Sequence, residues 1–229
     1  MRLYEGTISQ FNQDVLENKV ADRIGASYEK YYRRRVGPSE YRAWQQSLNF
    51  LKNSFEYSSL TNNRIIVEYE LPYSTRRIDV LLFGQNSKNN DSVVLMELKQ
   101  WSNENVADCP SEGNIIVDYG QFKKEQAHPS LQVQGYHYDL KDFVTIFNEQ
   151  PEVNLDSCAY CHNYSRNDTN AVLFFPKFKK EVDEFPVFAK EDIQALGVYL
   201  KERLSNGNGV EVFGRFLTSR IPKARLLTR

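Results

Sequence analysis

Cysteine, histidine and methionine are scarce: the 229 residues contain 3 Cys, 3 His and 2 Met. Three cysteines (Cys109, Cys158 and Cys161) are too few, and odd in number, for a disulfide framework, so a reducing cytoplasm is the expected location. Cys158-Ala159-Tyr160-Cys161-His162 has the spacing of a c-type haem attachment site. That chemistry needs export, and the run is apolar enough for cysteine to act as a small buried hydrophobe. Too few ligands remain near it for a four-coordinate zinc site. No apolar run follows Met1, and no stretch approaches the ~20 apolar residues that cross a bilayer, so neither a signal peptide nor a membrane partner is expected. The sequon Asn167-Asp168-Thr169 then carries no meaning. An excess of positive charge is also lacking. At a net charge of −1 the chain does not attract polyanions as a whole, and contact with nucleic acid must come from local basic patches or from cations at an acidic site.

What is present is a folding composition. Hydrophobic residues make up 41% and aromatic residues 13%, enough to bury a core and to exclude a disordered chain. The alternation of turn residues with apolar periodicities predicts one α/β domain. Residues 1–38 read as an N-terminal arm with some helix, ending in Arg33-Arg34-Arg35 and the break Gly37-Pro38-Ser39, with Ser39 as the predicted N-cap. Tyr41, Trp44, Leu48 and Leu51 recur at helical spacing and predict a helix over 40–55. Three strands follow, over 65–71, 77–83 and 92–99, the last two joined by a polar loop. Residues 101–128 read as an excursion with a short strand at 115–118. A helix over 129–147, strands over 158–164 and 171–175, and a helix over 192–204 complete the core, which spans 39–204. Residues 205–229 form a basic C-terminal segment carrying Arg215, Arg220, Lys223, Arg225 and Arg229.

The chemistry concentrates on Asp79 and Glu97-Leu98-Lys99. Side chains alternate along a strand, so Glu97 and Lys99 share one face. Folding the second and third strands about a point between Ser87 and Lys88 puts residue 79 opposite residue 96, one step from Glu97. Two carboxylates on an apolar sheet repel and lose hydration unless a cation compensates them. Mg2+ suits such a place, because it takes oxygen ligands and keeps waters and a substrate phosphate in its shell; Mn2+ is expected to substitute. Lys99 beside them can orient the attacking water or stabilise charge developing on a phosphate. In isolation an aspartate with a downstream Glu-x-Lys is more often a surface charge pattern. Its setting, on two apolar strands joined by a loop, raises its weight.

Helix, three strands, helix, strand, with Asp79 on the second strand and Glu97-Leu98-Lys99 on the third, resembles the PD-(D/E)XK nuclease core. Gln132-Val133-Gln134-Gly135-Tyr136 resembles the Gln-x-x-x-Tyr motif of its RecB-like branch. Gln132 and Tyr136 share a helix face, and Gln134 with Tyr138 repeats the spacing one face over. Glu68-Tyr69, Arg77-Ile78-Asp79, Glu97-Leu98-Lys99-Gln100-Trp101, His128-Pro129-Ser130, Cys158-Ala159-Tyr160, His162-Asn163-Tyr164 and Pro186-Val187-Phe188 together resemble the nuclease domain of bacterial Schlafen-like nuclease–helicase proteins. The resemblance spans about residues 40–200 and implies a restriction-endonuclease-like fold, a mixed sheet flanked by helices in the order αβββαβ. It also implies metal-dependent hydrolysis of DNA, with RNA as the other substrate. The metal would be held by Asp79, Glu97, the Leu98 carbonyl and a first-helix glutamate, for which Glu40 is the candidate. Gln132 and Tyr136 would complete the catalytic set with Asp79, Glu97 and Lys99. A helicase usually follows in that group, and no Gly-x-x-x-x-Gly-Lys-Ser/Thr loop occurs here. The expectation is either an excised domain, whose basic end starts the connection to a helicase domain or subunit, or a stand-alone relative.

Glu68 and Glu70 share a strand face and rank behind Asp79. Glu40 reads equally as a favourable charge in the first turn of a helix. Arg76, Arg77, Lys123 and Lys124 are the candidates for gripping phosphates, as is the run Lys177-Phe178-Lys179-Lys180, although each is more often a solvated face. Trp101 can stack on a base or cap the core. A non-catalytic nucleic-acid-binding module of the same fold, working with a helicase, is the second reading. A glycosidase acid–base pair is the third, opposed by the lysine that would keep both acids ionised.

Overall fold

The N-terminal arm carries helix, as expected, but opens on a strand. β1 (Arg2–Thr7) buries Leu3 and Tyr4 and leads directly into α1 (Ile8–Leu16). Thr7 sets that junction: its hydroxyl accepts from Gln10 N at 3.1 Å while its own N–H donates to Gln10 Oε1 at 2.8 Å, a reciprocal cap. α2 (Val20–Tyr32) stops where Arg33 takes a left-handed φ of 54°. α3 (Pro38–Phe55) starts two residues before the predicted position, because Gly37 takes the cap in place of Ser39 and Pro38 fills the first turn. The computed structural model describes residues 1–72 and 74–219.

β2 (Arg64–Glu70), β3 (Arg77–Gln85) and β4 (Asp91–Lys99) follow as an antiparallel run. The excursion becomes a separate three-stranded sheet of β5 (Val106–Asp108), β6 (Asn114–Asp118) and β7 (Lys123–Ala127). β7 is Lys-Lys-Glu-Gln-Ala and nearly all exposed, so its pairing with β6 gives it strand form without an apolar pattern. α4 (Pro129–Phe143) ends earlier than predicted, since Val144 turns extended and only a 3-10 turn, Thr145–Phe147, continues. β8 (Asn154–Cys161) begins before the predicted strand and ends before His162. The predicted strand at 171–175 is instead a 3-10 turn, Val172–Phe174, that buries Val172 and Leu173. Four or five apolar residues do not by themselves distinguish a strand from a buried turn. α5 (Lys179–Glu184), β9 (Val187–Ala189), α6 (Ile193–Leu204) and α7 (Val210–Thr218) close the described chain.

The main sheet has the order β1-β2-β3-β4-β8-β9, antiparallel from β1 to β4 and parallel from β4 through β9. Leaving the small sheet aside, α3-β2-β3-β4-α4-β8 follows the expected succession. The architecture is α/β: a mixed sheet with an apolar core on each face. One face packs Phe11, Ile24, Trp44, Leu48, Leu51 and Leu200 against Val80, Leu82, Val94 and Met96. The other packs Val133 and Leu140 of α4, Phe213 and Phe216 of α7, and Ile115 and Val117 of the small sheet against Leu81, Phe83 and Leu95. Asn63 ties the end of α6 to the sheet, its amide nitrogen lying 3.1, 2.8 and 2.9 Å from the carbonyls of Phe83, Leu204 and Gly207. Among the described residues no helix is long and apolar enough to cross a membrane. Arg215 pairs with Asp91 at 3.1 Å, while Arg220, Lys223, Arg225 and Arg229 lie outside the described residues.

Candidate active site

The β3–β4 connection decides which residues meet. Its turn is built on Asn86, whose side-chain oxygen accepts from Lys88 N at 3.0 Å and Asn90 N at 3.1 Å, with Asn89 left-handed at φ 59°. The connection is therefore centred on Lys88 rather than between residues 87 and 88. Val80 faces Met96 across the ladder, and one further step sets Asp79 level with Glu97. The predicted pairing of 79 with 96 is off by one residue because the turn has an odd length. At that step the carboxylate of Asp79 replaces a backbone acceptor: Oδ2 takes the N–H of Leu98 at 2.7 Å.

β2 breaks its alternation at the same level. Val67 pairs with Val80 and Tyr69 with Ile78, so Glu68 lies level with Asp79. Glu68 has φ 58°, an uncommon left-handed value for a residue in a strand. The consequence is visible in the cores: Val67 packs on the α3 side, whereas Tyr69 packs against Phe216 on the opposite side. Glu68 thereby turns toward α3, where Trp44 Nε1 donates to its Oε1 at 2.8 Å and Arg77 Nη1 lies 3.3 Å from Oε2. Such a backbone conformation costs about 1–3 kcal/mol and persists only where its surroundings over-determine it. Sequence alternation gives no sign of this flip, so the placement of Glu68 beside Asp79 is legible only in the fold.

On the α4 side, Glu97 is 4% exposed. Its Oε1 accepts from Lys99 Nζ at 2.8 Å and from Gln132 Nε2 at 2.7 Å, and Gln132 also donates to the Tyr136 hydroxyl at 3.2 Å. Glu97 Oε2 is buried with no hydrogen-bond partner. Of the two rival pairs it is therefore Gln132 that reaches Glu97, with Tyr136 behind it. Tyr138 is largely exposed and packs its ring near Phe185 instead. Lys99 joins the two sides. It touches Glu97, sits 5.2 Å from the Trp101 ring, and lines a cavity of about 300 Å³ with Asp79, Glu68, Glu40, Trp44 and Tyr119.

The electrostatics follow from burial of like charges. Burial, then the charges of Glu97 and Glu68, raise the Asp79 carboxyl well above its ordinary value, opposed by Lys99 and the Leu98 N–H. Burial pushes Glu68 up to about 7, helped by Glu40 and Glu97 and opposed by Arg77 and the Trp44 N–H. Burial alone would lower the Lys99 ammonium, but Glu97 and Asp79 outweigh it and hold that group above its usual value. The Tyr136 phenol is raised by burial and by Glu97.

The remaining predicted residues are scattered around this centre. Glu40 lines the cavity with its carboxylate ion-paired to Arg77, and Arg77 also lies over the Tyr28 ring at 5.4 Å. Arg76 pairs with Asp139 and sits 5.5 Å above the Tyr136 ring. Lys123 is 3.6 Å from Asp118, and both Lys123 and Lys124 are exposed on β7. Lys177 pairs with Asp108. His128 caps α4, accepting from Ser130 N at 3.2 Å, and is fully buried. All three cysteines are buried and free.

Among the described residues no group of three or more His, Cys, Asp or Glu side chains is arranged to enclose a metal ion by itself. The donors near one another are two carboxylates and the Leu98 peptide, an oxygen set that suits a hard cation completing its shell with water and substrate. The partnerless, buried Glu97 Oε2 is the atom such an ion would satisfy. Set against protein-family models, curated proteins and solved structures, the chain matches none.

Proposed function

We propose that this protein is a divalent-metal-dependent nuclease of restriction-endonuclease-like fold that hydrolyses phosphodiester bonds in DNA or RNA. One observation carries the reading. Asp79, Glu97 and Lys99 meet where β3 and β4 end their ladder, with one oxygen of Glu97 buried and unpartnered and a cavity lined by Asp79, Leu98 and Lys99. The resemblance to the PD-(D/E)XK pattern supports it, as does Gln132, which donates both to Glu97 and to the Tyr136 hydroxyl.

Asp79, Glu97 and the Leu98 carbonyl are the residues that would hold Mg2+ or Mn2+. Such an ion supplies Lewis acidity toward a phosphoryl oxygen and acidifies a bound water. The protein's own groups supply the rest. The Leu98 N–H fixes Asp79, and Gln132 fixes Glu97 from the other side, so neither acid needs to reorganise when substrate arrives. Lys99, kept charged by its two acidic neighbours, offers an ammonium to the attacking water or to the phosphate as negative charge develops on it. Glu40 stands at the rim, held by Arg77, and Glu68 is a third acid at the level of Asp79.

The test is cleavage of labelled single- and double-stranded oligonucleotides with Mg2+, by the native chain and by Lys99→Ala. The proposal expects cleavage that needs the metal and falls at least ~100-fold in the variant. Undiminished cleavage by the variant overturns the assignment. Salt-sensitive binding with no cleavage under any divalent metal would instead make the protein a binding module.

A further inference from the structure

The β6–β7 hairpin carries two large aromatic rings at its exposed end. Tyr119 and Phe122 stack at a ring distance of 5.2 Å and an angle of 26°, yet they remain 45% and 58% exposed. The turn between them is firmly built. Tyr119 N donates to Phe122 O at 2.9 Å, Asp118 Oδ1 accepts from Gly120 N at 2.7 Å, and Gly120 supplies a φ of 83°. Gln126 Nε2 steadies the Tyr119 hydroxyl at 3.2 Å. Two large rings held side by side in solvent are a surface awaiting a partner rather than a piece of core.

Position identifies the partner. Tyr119 lines the same cavity as Asp79, Lys99 and Trp101, so the rings stand at the mouth of the candidate active site. Across the cavity lie Ala43, Trp44, Ser47 and Leu48 of α3, and Gln100 adds an amide whose nitrogen donates to Ser47 Oγ at 2.7 Å. Lys123 and Lys124 follow the ring pair directly and are exposed on β7. The arrangement is an aromatic face at the rim of a cavity with an ammonium inside, with two exposed cations on the adjoining strand. It fits a nucleotide chain: base on the ring, phosphates toward the lysines. Bases inside a duplex already stack on both faces, so ring platforms of this kind select unpaired nucleotides.

We propose that Tyr119 and Phe122 form a stacking platform for an unpaired base, and that the protein acts on single-stranded or frayed nucleic acid. This rests on the nuclease reading for the fate of the substrate but not for its binding. The test therefore uses the full chain in EDTA, where nothing is cut. Fluorescence anisotropy compares labelled single-stranded DNA, RNA of the same sequence and the blunt DNA duplex. The DNA and RNA arms identify the source of the unpaired base. Tyr119→Ala and Phe122→Leu are each expected to weaken single-strand binding about tenfold while leaving the duplex unchanged, with Tyr119→Phe close to native. The inference is overturned if the variants bind single strands as the native chain does, if the duplex loses as much, or if single strands do not bind. A chain that cuts duplex DNA while Tyr119→Ala binds normally loses this inference and keeps the nuclease. One that binds single strands through Tyr119 and cuts nothing does the reverse.

Discussion

Glu97 is the residue on which most of the site converges, because one of its oxygens carries two donors and the other carries none. Removing one donor is therefore a mild way to probe it. Gln132→Ala is expected to lower the cleavage rate by about tenfold, with a stability change near 1 kcal/mol, read from single-turnover kinetics and urea melts. Glu68 and Asp79 give a pH signature. Glu68 moves from an ordinary value of 4.5 to about 7 in the fold, and Asp79 is raised as well. A raised acid binds more protons folded than unfolded, so stability is greatest below the ordinary value and declines as pH rises through the folded one. Burial lowers His128, His137 and His162, which act in the opposite direction over the same range, so the acids are read by difference. Without metal, Glu68→Gln is expected to gain melting temperature relative to the native chain at about pH 8 and not at about pH 5. A divalent cation is expected to shrink that gain, since it favours the ionised acids. Thermal melts at the two pH values, with EDTA and with Mg2+, check this. At this scale Asp79, Glu97, Lys99, Gln132 and Tyr136 could be picked out from spacing and resemblance. Glu68 could not be promoted, because its left-handed backbone has no signature in a run of Ile, Val and Tyr.

The elements explain why the site is where it is. β3 and β4 were readable as strands from their apolar runs, but their register depended on the turn between them, which Asn86 closes on Lys88 and Asn90 and which passes through a left-handed Asn89. β1 and β7 escaped because both are short and flanking strands supply their hydrogen-bond partners. Such pairing is non-local and leaves little mark on the strand itself. Asn63, just before β2, shows the same non-local dependence: its buried amide faces three carbonyls from distant segments. Asn63→Ala is expected to destabilise the protein by about 2 kcal/mol, through carbonyls left without a donor. Equilibrium denaturation should show a lower midpoint with an unchanged slope, and an unaltered midpoint would refute the role.

For the whole molecule, a net charge of −1 and a pair of acids at the centre mean that affinity for a polyanion must be local and cation-assisted. Charge and composition set this frame, the order of periodicities pointed to one α/β domain, and the mixed sheet flanked by helices came from the resemblance alone. The packing of residues 1–38 as an edge strand and two helices on the main sheet did not follow. Mg2+ binding should stabilise the folded chain. At a concentration about 100 times its dissociation constant the expected gain is ~2.7 kcal/mol, seen as a higher melting temperature and lost in the Asp79→Asn, Glu97→Gln double variant. The most direct test is crystallographic. Crystals soaked in Mn2+ should give an anomalous peak within coordination distance of Asp79, Glu97 and the Leu98 carbonyl. Crystals that take up manganese elsewhere, with Glu97 Oε2 still unpartnered, would contradict the account.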